Sequence, residues 1–157
     1  MRRRRPCSRP PDRFFARVLL HIVARGRIGR GPEADLVGRY LGRIGWPTRV
    51  SELADDGRAG PAAVPGMRTV MLDETGEMLG SMAFAERLGR WRDDGVREAR
   101  FLIGGADGFD DVARRQADLL LSFGRLTWPH MLARAMLAEQ LWRATSILAG
   151  HPYHREG

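Results

Sequence analysis

Short apolar runs alternate with segments whose apolar residues recur every three or four positions, and this alternation narrows the possible folds sharply. Residues 17–24 read Arg-Val-Leu-Leu-His-Ile-Val-Ala, a nearly unbroken apolar run of strand length. A run without polar alternation suits a strand covered on both faces. Pro32 and Glu33 then open a helix, because proline presets the backbone of a first helical turn, and Leu36, Val37, Tyr40, Leu41 and Ile44 follow at helical spacing. The same reading predicts strands over 48–53, 67–72 and 99–103, with a turn at 73–76 and a helix over 81–92. It further predicts a helix over 112–121, led by Asp110 and Asp111 where acids suit the positive end of the dipole, then a short strand over 125–128 and a long helix over 131–149. Strands alternating with helices give an α/β fold, a mostly parallel sheet with helices on both faces. Ligands in such sheets bind beyond the carboxyl ends of the strands. Three loops of that kind stand out: after Leu72, after Ile103, and over residues 123–130.

Length and charge bound the rest. A chain of 157 residues can bury one core of ordinary size, so one domain over 18–157 is expected, preceded by a flexible extension over 1–17. That extension holds seven arginines, three prolines and a single acid. It therefore carries six of the seven net positive charges, leaving the remaining 140 residues at +1. The extension reads either as an RNA-binding arm or as a tail of no consequence; the domain itself must bind any nucleic acid through a local arrangement of arginines, since bulk charge is missing. No stretch approaches the ~18 apolar residues of a membrane span, and no apolar h-region follows the arginine run, so a cytoplasmic protein is expected. Cys7 is the single cysteine, which excludes an internal disulfide and a cysteine-rich zinc site. All 26 basic residues are arginine, which removes a phosphate-loop lysine, a Schiff base and a lysine general base.

Several segments carry candidate chemistry. Ile103-Gly-Gly-Ala-Asp-Gly108 lies between a strand and a helix, where glycines let a ligand approach the backbone, although it matches neither the dinucleotide nor the phosphate-loop spacing. Trp128-Pro129-His130 reads equally as a core tryptophan with a helix start or as part of a site. The tail His151-Pro-Tyr-His-Arg-Glu156 concentrates polar chemistry at the end of the long helix. His151 and His154 could share a metal, but zinc wants three or four ligands and only His21, His130 and scattered carboxylates remain, so no metal is expected. The long helix bears two apolar stripes, one of Ala133, Leu137, Leu141, Ala144 and Leu148, the other of Met131, Ala135, Ala138 and Trp142. A helix apolar on two faces is buried on two faces. One covers the sheet; the other predicts a partner subunit and hence a homodimer.

Four ordered segments carry a resemblance: Phe101-Leu-Ile-Gly-Gly-Ala-Asp-Gly108, Leu121-Ser-Phe-Gly-Arg-Leu-Thr-Trp-Pro-His130, Leu137-Ala-Glu-Gln-Leu-Trp-Arg-Ala144 and the tail His151 to Glu156. Together, over about residues 18–157, the chain resembles the RlmH family of SPOUT-class methyltransferases, which methylate N3 of a pseudouridine in large-subunit ribosomal RNA. The resemblance implies a C-terminal trefoil knot, S-adenosylmethionine bound within it largely through backbone groups, and a homodimer. It places the cofactor at Leu72, at Gly104 and along Phe123, Gly124, Arg125, Leu126, Thr127 and Trp128, the three loops already singled out. His154, Tyr153 and Arg155 become the candidates for contact with the reacting base, and Arg134 and Arg143 for the RNA. Two departures stand against the family pattern. Residues 54–66 are rich in Gly and Pro and acidic at Asp55 and Asp56, where relatives carry a basic helical segment, and residues 1–17 match nothing. Two further readings stay open: a ribosome-assembly module that binds RNA without catalysis, and a methyltransferase with another acceptor. The near-neutral domain favours an assembled ribosome over free RNA as substrate.

Overall fold

The apolar runs do form one parallel sheet. The structure, a computed structural model, describes residues 17–56, 60–105 and 107–151. In chain order its elements are β1 (Leu19–Arg25), α1 (Pro32–Leu41), β2 (Thr48–Leu53), β3 (Met67–Glu77), α2 (Ser81–Asp93), β4 (Glu98–Ile103), α3 (Asp111–Gln116), β5 (Leu119–Leu121) and α4 (His130–Leu148). The strands lie in the order β2-β1-β4-β3-β5 with every pairing parallel. The crossovers from β1 to β2 and from β3 to β4 step in one direction along this order, and those from β2 to β3 and β4 to β5 step in the other. Right-handed crossovers therefore put α1 and α2 over one face, and residues 54–66 with α3 over the opposite one.

Side chains follow this division. Leu20, Ile22 and Ala24 of β1, Val70 of β3, and Ala99, Phe101 and Ile103 of β4 form one core with Phe84, Ala85 and Leu88 of α2 and Leu137, Leu141 and Ala144 of α4. On the opposite face Arg100 donates from Nη1 to the carbonyls of Pro61 (2.7 Å) and Ala62 (3.1 Å). Residues 61 and 62 of this crossover are thus pinned from beneath by one arginine.

Three expectations change. Residues 73–76 do leave the ladder, but β3 resumes afterwards, so that Leu72 and Glu77 both pair with Leu121. Asp73 closes the excursion by accepting from the Thr75 N–H (2.9 Å) and hydroxyl (2.6 Å). Gly76 then runs against β5 so closely that a Cβ there would meet the Leu120 carbonyl carbon and oxygen at 2.6 Å. The helix predicted over 112–121 stops at Gln116, and the strand expected at 125–128 is instead Leu119–Leu121. Asp118 is the cause: its carboxylate accepts from Thr69 N–H (2.7 Å) and its own N–H donates to the Thr69 carbonyl (2.9 Å), which starts strand pairing before the apolar run.

The third change concerns α4. Its second stripe packs on α1: Ala135 and Ala138 cluster with Val37, and the Trp142 ring lies 5.4 Å from that of Tyr40. That stripe is covered within the chain and gives no reason for a partner subunit. No described helix is long and apolar enough to cross a membrane.

Candidate active site

At the carboxyl ends of β3, β4 and β5 three segments surround a cleft of about 720 Å³. One wall is Leu72, Asp73 and Glu74, the second runs from Ile103 through Gly108 to Phe109, and the third is the β5–α4 connection with the first turn of α4, including Phe123, Trp128, His130 and Ala133. The glycine loop is folded tightly on itself, since a Cβ on Gly104 would sit 3.2 Å from Gly108 Cα and 3.3 Å from the Phe109 ring. Gly105 backs onto the Asp55 carboxylate in the same way, with 3.0 Å to its Oδ1. A side chain at either glycine would require its neighbour to give by a few tenths of an ångström.

Polar contacts brace the first wall against the third. Ser122 accepts from the Gly124 N–H (3.0 Å), and its hydroxyl can donate to the carbonyl of Gly124 (3.0 Å) or of Glu74 (3.2 Å). Asp73, nearly inaccessible, faces Arg114 of α3 with Oδ2 2.8 Å from Nε. That Nε makes no directed hydrogen bond, so the contact is an ion pair held off the N–H direction. Burial alone would raise the Asp73 carboxyl, but the two hydrogen bonds from Thr75 and the charge of Arg114 outweigh it and hold the group below the usual carboxylate range. The cleft floor is therefore ionised, with a guanidinium beside a carboxylate.

Most of the predicted cofactor residues meet here. Leu72, Gly104, Phe123, Gly124, Leu126, Thr127 and Trp128 all line the cleft, while Arg125 lies exposed in the same loop outside the lining. Sequence reasoning missed Asp73 and Arg114; the first was absorbed into a turn, and no local pattern links the two. His130 lines the cleft and is also the first residue of α4, while Trp128, 40% exposed, is not a core residue. The predicted base contacts Tyr153, His154 and Arg155 lie outside the described residues. Among the described residues no group of three or more His, Cys, Asp or Glu is arranged to hold a metal.

Arg134 corrects an expectation. Instead of facing solvent as an RNA contact it is 1% exposed, with Nη1 on Glu52 Oε2 (2.8 Å) and Nη2 on the Gly26 carbonyl (3.0 Å). Covering of α4 by α1 leaves this position inside. Arg143, also expected to meet RNA, is partly buried and donates from Nε to Glu139 Oε1 one turn earlier (2.9 Å).

A parallel sheet with a three-loop cleft at its carboxyl ends defines an α/β enzyme with a small-molecule site. The family model described as "Predicted SPOUT methyltransferase" matches residues 19–154, and the chain belongs to that family. It is similar to "Ribosomal RNA large subunit methyltransferase H" of Rhizorhabdus wittichii, 77% identical over 140 residues that cover 89% of this chain and 100% of the relative. The protein of the same name from Sphingopyxis alaskensis is 65% identical, covering 89% and 99%. Among solved structures, a "Probable Methyltransferase from Bordetella pertussis Tohama I" aligns with TM-score 0.53 and 13% identity over 83% of this chain and 97% of that one, a likeness of fold. The chain is thus a methyltransferase, and such an enzyme needs a methyl donor.

Proposed function

We propose that the chain methylates N3 of a pseudouridine in large-subunit ribosomal RNA, on the assembled ribosome in the cytoplasm, with S-adenosylmethionine as donor. The observation that carries this reading is the 77% identity, along the relative's whole length, to a protein named a ribosomal RNA large subunit methyltransferase. The cleft supports the donor: its size lies within the ~300–1,000 Å³ of small-molecule sites. Leu72, Phe109 and Leu126 offer apolar surface for an adenine, Arg114 suits a carboxylate, and Asp73 and Asp107 suit an ammonium group. When bound, S-adenosylmethionine supplies an electrophilic methyl group. The chain contributes orientation, because in-line placement of donor and acceptor lowers the barrier of a direct transfer. His154, Tyr153 and Arg155 are the candidates for the base that would take the N3 proton and for the cation that would stabilise the uracil anion, while the bound donor would supply the methyl group.

Helix length supports a homodimer where the apolar stripe did not. The first turn of α4 lines the cleft, and the tail begins at the other end of its 19 residues, which places the two about 27 Å apart. His154, three residues past His151, reaches at most about 11 Å further along an extended chain. A cleft that takes up a tail would then take that of a second copy. The family's trefoil knot belongs to the same proposal: from β5 at one edge of the sheet, α4 returns across the face of α1 and α2, as a threaded chain end requires.

Nucleoside mass spectrometry of ribosomal RNA tests the acceptor. N3-methylpseudouridine should vanish from a strain lacking the gene and return with a plasmid copy; its persistence in the deletion strain overturns the reading. Calorimetric titration with S-adenosylmethionine separates it from an assembly module, which would give no binding heat. Light scattering that shows a monomer at every concentration would sink the dimer.

A further inference from the structure

The crossover at 54–66 carries no run of basic residues, and Arg134 is buried, so the surface that meets RNA must lie elsewhere. We propose that the β1–α1 loop, Gly26-Arg-Ile-Gly-Arg-Gly31, docks the phosphate backbone of the RNA that enters the cleft. This rests on the ribosomal-RNA reading above and names the surface that reading lacks.

Arg27 and Arg30 are exposed, and neither is held in an ion pair among the described residues. The loop leaves the carboxyl end of β1, on the edge of the sheet where the cleft opens. Its first residue lies near the cleft wall: a Cβ on Gly26 would stand 3.8 Å from Nε2 of His130, which lines the cleft. An RNA base that reaches the cleft carries its flanking phosphates across this rim. Arginine forks suit phosphate oxygens and stay charged at any pH of interest.

The loop is also held in place before any ligand arrives. Gly26 N–H donates to the Leu53 carbonyl (2.8 Å), and Ile28 N–H donates to Glu52 Oε2 (2.7 Å), the oxygen that also accepts from Arg134. Ile28 packs against the cluster of Val37, Ala135 and Ala138. Glu52 accepts from Arg134 and Ile28, and those bonds, with the charges of Arg134 and Arg27, hold its carboxyl below the usual range despite partial burial. Glu33 and Asp35 stand in the first turn of α1, where they face the positive end of that helix. Arginines on a fixed loop lose little conformational freedom on binding, which suits Arg27 and Arg30 to set the register.

The test uses the full-length protein with Arg27→Ser and Arg30→Ser together, a charge-retaining Arg27→Lys/Arg30→Lys pair, and purified large ribosomal subunits over a salt series. The serine pair should bind the subunits about tenfold more weakly, with the slope of log affinity against log salt shallower by about 1.5, as two lost phosphate contacts require. Its melting temperature and its affinity for S-adenosylmethionine should match the wild type, and the lysine pair should recover most of the binding. Unchanged affinity and slope overturn the proposal, as does a loss that the lysine pair fails to recover or that comes with a fall in melting temperature. Methyl transfer by the wild type to the same particles is scored separately. Arginine-dependent binding without transfer overturns the substrate assignment and leaves the docking loop standing; a wild type that binds no subunits overturns both.

Discussion

On one face of the sheet Phe101 meets Phe84 edge-on, with ring centroids 6.2 Å apart, beneath α2 and α4; one residue earlier on the same strand, Arg100 points to the other face and bonds to Glu98, Pro61 and Ala62. The first face is closed mainly by apolar area, with the Arg134–Glu52 pair beside it. The second is closed by a polar rail that crosses three adjacent strands, from Ser51 of β2 through His21 of β1 (2.8 Å) to Glu98 of β4 (2.8 Å) and on to Arg100 (2.7 Å). With Glu98 ionised, His21 Nδ1 donates to it, and Nε2 pairs with the Ser51 hydroxyl. Apolar burial needs periodicity, which α2 and α4 have. Residues 60–66 have none, and the guanidinium of Arg100 fixes them by their carbonyls instead. The comparison teaches that a segment without helical or strand pattern can still be seated in one place, provided a buried charge meets its backbone.

The largest expected effect lies on the apolar face. Phe101→Ala should cost about 3–5 kcal/mol in denaturant unfolding, and a loss below 1 kcal/mol would show that this face is not close-packed. Arg100→Met comes next at about 3 kcal/mol, because it strands a buried Glu98 carboxylate beside His21. The triple change His21→Leu, Glu98→Leu, Arg100→Met should recover most of that loss if the rail serves placement more than stability; a triple variant worse than Arg100→Met alone would reverse that distinction. Ser51→Ala, which removes one end of the rail, should cost about 1 kcal/mol.

Acid titration gives the smallest expected signal. Burial would raise the Glu98 carboxyl, but hydrogen bonds from Arg100 and His21 outweigh it and lower it. A folded value below the unfolded one means that the contribution to stability is present above the ordinary carboxylate range and is lost as pH falls through the folded value. Glu98→Gln should therefore flatten the decline of stability below about pH 4, relative to the wild type. An unchanged acid limb would show that other carboxylates dominate.

Much of the fold and of the cleft was legible because its signals are local. The run over residues 17–24, the Gly104-Gly105 break and the periodicity of α4 each announce themselves within a few residues, and seven of the eight residues assigned to the cofactor line the cleft. What failed depends on distant partners. Leu119–Leu121 look like the end of a helix until Asp118 is seen to pair with Thr69, and β5 is too short to show alternation. Residues 73–76 carry turn chemistry and do turn, yet the glycine at their end fits only because the backbone of β5 lies against it. Arg134 falls between the two apolar stripes on a helical wheel, so its burial could have been read from the sequence; its distant partners, Glu52 and the carbonyl of Gly26, could not.

That arginine has a thermodynamic corollary. Within one turn of α4, His130 borders the cleft and Arg134 grips the loop that carries Arg27 and Arg30, so the two binding regions share a single rigid mount. If the mount settles differently when either ligand is present, the donor must alter RNA affinity by the same factor by which RNA alters donor affinity. Arg134→Met, by loosening the mount, should bring that factor toward one, with both single-ligand affinities measured on the same sample.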